Sequence, residues 1–181
     1  LDDSSAEGRL RRSDEDIVVS DSESQVFHRP PQADELQGRL EAMCEFANGN
    51  PKDVFIHPIL RSVMLHFWLA YDHPFVDGNG RAARALFYWS ILHQGYWLGE
   101  YISISQILLK APAKYSRSFL YTETDDNDMT YFILHHLDVI CRSIDELHAF
   151  FKRRATRLKR MASQVRNIDM LNQRQQSPLS H

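Results

Sequence analysis

Cysteine is scarce in this sequence. Its two residues, Cys44 and Cys141, are far apart and form no CxxC pair or Cys/His cluster. That argues against a disulfide framework or a structural zinc site, and predicts two reduced thiols in the core of a cytoplasmic protein. Long apolar runs are also missing. Nothing approaches the roughly 20 residues that span a bilayer, and the N-terminus lacks a basic-then-apolar signal pattern, so no membrane role is expected. Seven glycines and seven prolines in 181 residues are too few for a low-complexity chain, and 43% hydrophobic content is that of a globular domain. Neither sign of charge dominates. A formal net charge of −3 does not suit a surface built throughout for nucleic acid.

What is present organises into one domain and a tail. Residues 1–16 carry six acids and three arginines without periodicity and read as a solvated approach segment. Ile17 to Val19 and Gln25 to Phe27 are short β-type runs around a Ser/Asp turn, which predicts a hairpin at about 17–27. After "HRPPQ", Leu36, Leu40, Met43, Cys44 and Ala47 recur at helical spacing behind Asp34 as candidate cap, and "NGNP" ends that helix. Leu60, Val63, Met64, Phe67, Trp68 and Tyr71 form an amphipathic stripe that stops at His73-Pro74. Residues 80–93 are apolar on nearly every side and predict a central, fully buried helix. A short helix, a break at Pro112 and a further helix follow. A long helix is expected from about Asp128, and residues 151–181 form a basic helical tail. The sum is an all-α fold of about seven helices with one β-hairpin.

The chemistry concentrates in "HPFVDGNGRAAR", residues 73–84. These residues connect two helices, and glycines at 78 and 80 open the second. Helix N-termini present free N–H groups and partial positive charge, so Gly78, Asn79 and Gly80 make a candidate phosphate cradle. Arg81 and Arg84 lie three apart on the first turn and can reach one anion from one face. Asp77 alone is too little for an all-protein calcium or zinc cage, but Mg²⁺ is held by one or two carboxylates plus substrate phosphates and water. His73 is left for proton chemistry near neutral pH. Each residue also has a plain reading, as helix terminator, turn or solvated face. It is their convergence within twelve residues that points to a nucleotide-Mg²⁺ site.

The same stretch resembles the signature of Fic-domain proteins, HxFx(D/E)GN(G/K)RxxR, at every specified position. "GRLRR" before the hairpin, "PP" after it, "HPILRSVMLHFWLAYDHPF" and "TETDDNDMTYFILHHL" extend the resemblance over residues 8 to about 145. It implies the Fic fold, helical with a β-hairpin flap, and transfer of AMP from ATP to a Ser, Thr or Tyr hydroxyl of a target protein. On this resemblance His73 is the general base and Asp77 holds Mg²⁺. Gly78, Asn79 and Gly80 form the anion hole, Arg81 binds phosphates, and Arg84 binds the terminal phosphate. Tyr115 resembles the first of a tyrosine pair lining the adenine pocket, with Ser116 at the second position. The flap, within a Fic domain at 17–150, is expected to register a target strand by main-chain pairing.

The resemblance also implies regulation and partners. Many members carry an inhibitory (S/T)xxxE(G/N) helix whose glutamate pairs with the second motif arginine, here Arg84. "SSAEG" at residues 4–8 is a near miss with the wrong spacing and reads as a decoy. The chain starts at Leu1 and ends after "RQQSPLSH", so it reads as a fragment, and "LNQRQQ" resembles the start of a winged-helix module found in some bacterial members. DNA contact is therefore expected only through a missing module, while self-modification and a homodimer are compatible with the resemblance. The rival readings are AMP removal or transfer of another nucleotide at the same site, and a non-enzymatic nucleotide-sensing regulator.

Overall fold

A computed structural model describes residues 8–15, 17–20, 26–49 and 54–166. Two short strands, β1 (Val19–Ser20) and β2 (Val26–His28), pair antiparallel, with Val19 opposite His28 and a register irregularity after Val19. The turn expected between them, Gln25 included, and residues 1–7, which hold all of "SSAEG" but Gly8, lie outside the described residues. So do "NP" of "NGNP" and the tail from 167.

Six α-helices follow: α1 (Leu36–Asn48), α2 (Pro58–Asp72), α3 (Asn79–His93), α4 (Ile104–Lys110), α5 (Pro112–Thr124) and α6 (Thr130–Arg166). Among the described residues there are thus six α-helices, not about seven. Two further helical turns, Ala33–Glu35 and Trp97–Glu100, are of the tighter 3₁₀ type. The basic tail is no separate helix as far as Arg166, because α6 runs through it unbroken for 37 residues. None of the described helices is long and apolar enough to cross a membrane.

The buried centre is α2, not α3. Ser62, Val63, Leu65, His66, Phe67, Leu69 and Asp72 are buried, which covers the helix on more than one side. Val63 and Phe67 enter a cluster with Phe87 and Ile91 of α3, Ile104 and Ile107 of α4, and Phe132 and Val139 of α6. Leu65 and Leu69 enter a second cluster with Met43 of α1 and Ala83 of α3. Helix α3 keeps one exposed face, with Arg81, Ala85, Trp89 and His93 recurring every fourth residue. Apolar content alone misread it, since Trp89 is 44% exposed and stacks on His93 in water.

Two smaller expectations also change. Asp34 sits in the 3₁₀ turn, and α1 starts behind Glu35 without a side-chain cap. Both cysteines are free and exposed, not in the core. Each is one step of about 100° beyond a buried residue, Met43 and Ile140, which carries it off the packed face.

Local chemistry fixes where α2 and α5 begin. His57 caps α2 by accepting the Ile59 N–H on Nδ1 at 3.3 Å, with Pro58 at the first helical position. Pro112 starts α5 in the same way. The α2–α3 connection carries the signature residues.

Candidate active site

His73 closes α2 in the left-handed conformation, φ 47° and ψ 55°, which costs a non-glycine residue about 1–2 kcal/mol. A buried arginine holds it there. Arg11 donates from its backbone N–H to the Pro74 carbonyl at 2.8 Å, and from Nε to the His73 carbonyl at 2.8 Å. Its terminal nitrogen donates to the Asp72 carbonyl at 3.2 Å and to the Pro31 carbonyl. The Asp72 and His73 carbonyls at the end of α2 are thus satisfied by one guanidinium, which also ties in the segment leaving the hairpin. This overturns part of the reading of residues 1–16 as solvated: Arg11 is 7% exposed. Asp72, fully buried, is held by Arg39 at 2.6 Å.

The His73 ring is oriented by its own helix. Nδ1 lies 2.9 Å from the Ala70 carbonyl, which can only accept, so Nδ1 carries the proton and Nε2 keeps its lone pair. Burial lowers the His73 pKa. The Ala70 hydrogen bond opposes this, while the charges of His28 and Arg11 push it further down. The imidazole is therefore neutral at pH 7, with Nε2 ready to take a proton.

Beyond it the loop closes on itself. Asn79, 2% exposed, accepts the Phe75 N–H on Oδ1 at 2.9 Å and donates to the Phe75 carbonyl at 2.7 Å. Its side chain is committed to the loop, so only its backbone could serve an anion. Gly78 precedes α3 with φ 86°, a conformation favouring glycine. A Cβ at Gly78 would come within 3.3 Å of the Arg81 guanidinium, and one at Gly80 within 3.2 Å of Arg84. The exposed Asp77 accepts the Gly78 N–H at 2.6 Å and pairs with Arg81 at 3.2 Å. Arg84 makes no hydrogen bond or ion pair with a described residue, and its charge acts on His66 and Tyr115.

His73, Gly80, Tyr115 and Ser116 line one cavity of about 230 Å³, together with His28 and Val19 from the hairpin. Asp77, Gly78, Asn79, Arg81 and Arg84 are not on its wall. Tyr115 shares a 3.0 Å hydrogen bond with His66 Nε2, and burial pushes its phenol pKa up. His66 and His136 are both fully buried beneath it, their rings 4.8 Å apart and edge-on.

His28 was not singled out by the sequence. Its Nδ1 lies 2.8 Å from the Glu123 carboxylate and its Nε2 2.7 Å from the Tyr71 carbonyl. Both partners accept, so the ring donates twice and is cationic. Burial works against that charge, but the Glu123 bond, the Tyr71 carbonyl and the charges of Glu123 and Asp72 outweigh it, and the pKa is raised. An imidazole at the end of a β-type run gives no signal of a partner 95 residues away. Arg11 was visible only as part of "GRLRR", where a basic run reads as solvated.

Residues 1–91 match the Fic/DOC family. This chain belongs to the Fic/DOC family. It is 34% identical over 89 residues to a protein of Nematostella vectensis named protein adenylyltransferase Fic, which covers 49% of this chain and 19% of that protein. The Aedes aegypti protein of the same name is 34% identical over 76 residues, 40% of this chain and 15% of the relative. The chain thus spans about a fifth or less of these relatives. The crystal structure of a Fic family protein from Desulfovibrio desulfuricans G20 superposes with a TM-score of 0.68 at 22% identity, over 79% of this chain and 41% of that one. The fold is shared.

Proposed function

We propose that this Fic domain transfers AMP from ATP to a hydroxyl of a protein substrate, with His73 as general base. The observation that carries the reading is the His73 tautomer: Nδ1–H is fixed on the Ala70 carbonyl, and Nε2 remains the open acceptor of a residue on the cavity wall. The relatives named protein adenylyltransferase support the same reaction class.

The hydroxyl of a target Ser, Thr or Tyr loses its proton to His73 Nε2 as its oxygen bonds to the α-phosphorus. The bond from the α-phosphorus to the bridging oxygen breaks, and pyrophosphate leaves. A positioned base of this kind gives roughly 10² to 10⁴ in rate.

The other residues take roles that fit their surroundings. The first N–H groups of α3, from Asn79 and Gly80, would take phosphate oxygens, while the Gly78 N–H is already given to Asp77, and the missing Cβ atoms of Gly78 and Gly80 permit close approach. Arg84, without a protein partner among the described residues, is available to the terminal phosphate. Tyr115 and Ser116 line the cavity that would take the adenine. The pairing of Asp77 with Arg81 suits both residues to the same ligand: the carboxylate would hold Mg²⁺ while Arg81 takes phosphate. Mg²⁺, when bound, neutralises phosphate charge. The hairpin end at Val19 and His28 borders the cavity, which suits it to present a target strand to His73.

Incubation of the chain with Mg²⁺, lysate proteins and ATP labelled in its α-phosphate tests the reading. Label on a hydroxyl side chain that disappears with His73→Ala is expected. Labelling by His73→Ala at the wild-type rate would remove the assigned base, and release of AMP from modified protein without transfer would favour the reverse reaction.

A further inference from the structure

We infer that His28 is a positioning residue of the proposed transfer: it clasps the hairpin onto the helical turn that carries His73. The inference rests on the reading of His73 as general base for a hydroxyl presented by the hairpin. His28 ends β2 opposite Val19 of β1, and its ring is buried. Nδ1 donates to the Glu123 carboxylate of α5 at 2.8 Å, and Nε2 donates to the Tyr71 carbonyl of α2 at 2.7 Å. One imidazole therefore joins the hairpin to α5 and α2. His28, Glu123 and His73 line the same cavity.

The end of α2 explains why a side chain is needed there. A helix leaves its last carbonyls without donors from within. Pro74 has no N–H to give Ala70, and Phe75 gives its own to Asn79, not to Tyr71. Side chains fill the gap: His73 itself at Ala70, His28 at Tyr71, and Arg11 at Asp72. Of these donors His28 alone comes from a strand of the hairpin. Its charge also meets the partial negative charge of the helix end. Tyr71 stands two residues before His73, and its ring lies 4.6 Å from that of His28, so a displaced hairpin pulls on the turn that aims the base.

The clasp needs both ring N–H groups. A neutral imidazole has only one, so loss of the proton leaves either the carboxylate or the carbonyl facing a lone pair. The charged groups around His28 are Glu123 on α5, Asp72 in the last turn of α2 and His73 just beyond it; Arg11 acts on His73. Burial opposes the His28 charge, but the bonds to Glu123 and Tyr71 and the charges of Glu123 and Asp72 outweigh it. Burial lowers the His73 value, and the His28 charge lowers it further. His73 thus titrates below 6.5 and His28 above it. Between the two the base is neutral and the clasp closed, so transfer has an acid limb set by His73 and an alkaline limb set by His28.

Ring-nitrogen NMR of the 181-residue chain tests the clasp without any transfer. Both nitrogens of His28 should be protonated at neutral pH, and Glu123→Gln should lower its titration point. A neutral His28, or a titration point that Glu123→Gln leaves unmoved, overturns the inference. Labelling with ATP carrying a labelled α-phosphate tests its consequence. At neutral pH His28→Gln should lower transfer about tenfold or more, while calorimetric affinity for Mg-ATP stays within about twofold. The alkaline limb should move to lower pH in Glu123→Gln. It should vanish in His28→Gln, where loss of the neighbouring cation should also move the acid limb to higher pH. A merely structural role would lower the rate at every pH and leave both limbs in place; that result, or an equal loss of ATP affinity, overturns the inference. A wild-type chain that labels nothing at any pH overturns the reaction instead, and the NMR titration then decides the clasp.

Discussion

Arg11 and His73 are 62 residues apart in sequence and are joined by a 2.8 Å hydrogen bond from the guanidinium Nε to the histidine carbonyl. That contact makes Arg11 a positioning residue for the base. Arg11→Met leaves the carbonyls of Asp72, His73 and Pro31 without their donor, each buried acceptor costing about 1–3 kcal/mol. AMP transfer should fall between about tenfold and a hundredfold, because the ring is carried by that backbone. KM for ATP should change little, since Arg11 is not on the cavity wall. Arg11→Lys restores one donor and should rescue only in part. Initial rates at several ATP concentrations separate the two parameters, and equal losses in kcat and nucleotide affinity would contradict the assignment.

Asn79 makes a second separable claim. Its side chain holds both the N–H and the C=O of Phe75, so Asn79→Ala should lower stability by about 1–3 kcal/mol as well as activity. A residue used only for phosphate contact would lose activity without a shift in the urea midpoint. Unfolding curves for wild type and variant, beside labelling rates, make the distinction.

The buried histidines set a pH dependence of stability. Burial holds His66 well below its usual 6.5, helped by the charges of His136 and Arg84, and burial likewise takes His136 to about 3. Both folded values are depressed, so the unfolded chain binds more protons below 6.5. Their contribution is full above that pH and is lost as pH falls, with a slope of up to about 1.4 kcal/mol per unit for each. His28 has the opposite sign, because its raised value favours the folded state at low pH and weakens as pH rises through it. Urea unfolding between about pH 7 and pH 5, above most carboxylate titration, should show falling stability. His136→Phe should flatten that slope.

Legibility followed the range of the interactions. The sequence stretch 73–84 was readable because helix ends, glycine turns and arginine spacing act over a few residues. The breaks at Pro74 and Pro112 were equally local, and so were the helices they bound. What escaped were contacts between distant segments: Arg11 with the end of α2, Arg39 with Asp72, and His28 with Glu123. Nothing near His28 announces a carboxylate on α5. Apolar content also failed to say which helix is central, because Trp89 looks like core in sequence and lies in water on the outer face of α3. The exposed thiols repeat the lesson: a cysteine next to a buried residue on a helix is turned away from it.

Continuity gives α6 a mechanical property. At 1.5 Å per residue its 37 residues extend about 55 Å. His136, near the root, has its ring 5.9 Å from that of Tyr115 on the cavity wall. The helix is a rod rooted beside the cavity, and its residues 148–161 are exposed. A tilt of about 5° at His136 carries Arg166, about 45 Å along the axis, roughly 4 Å sideways, and the same geometry run backwards turns a large excursion at Arg166 into a sub-ångström displacement at the root.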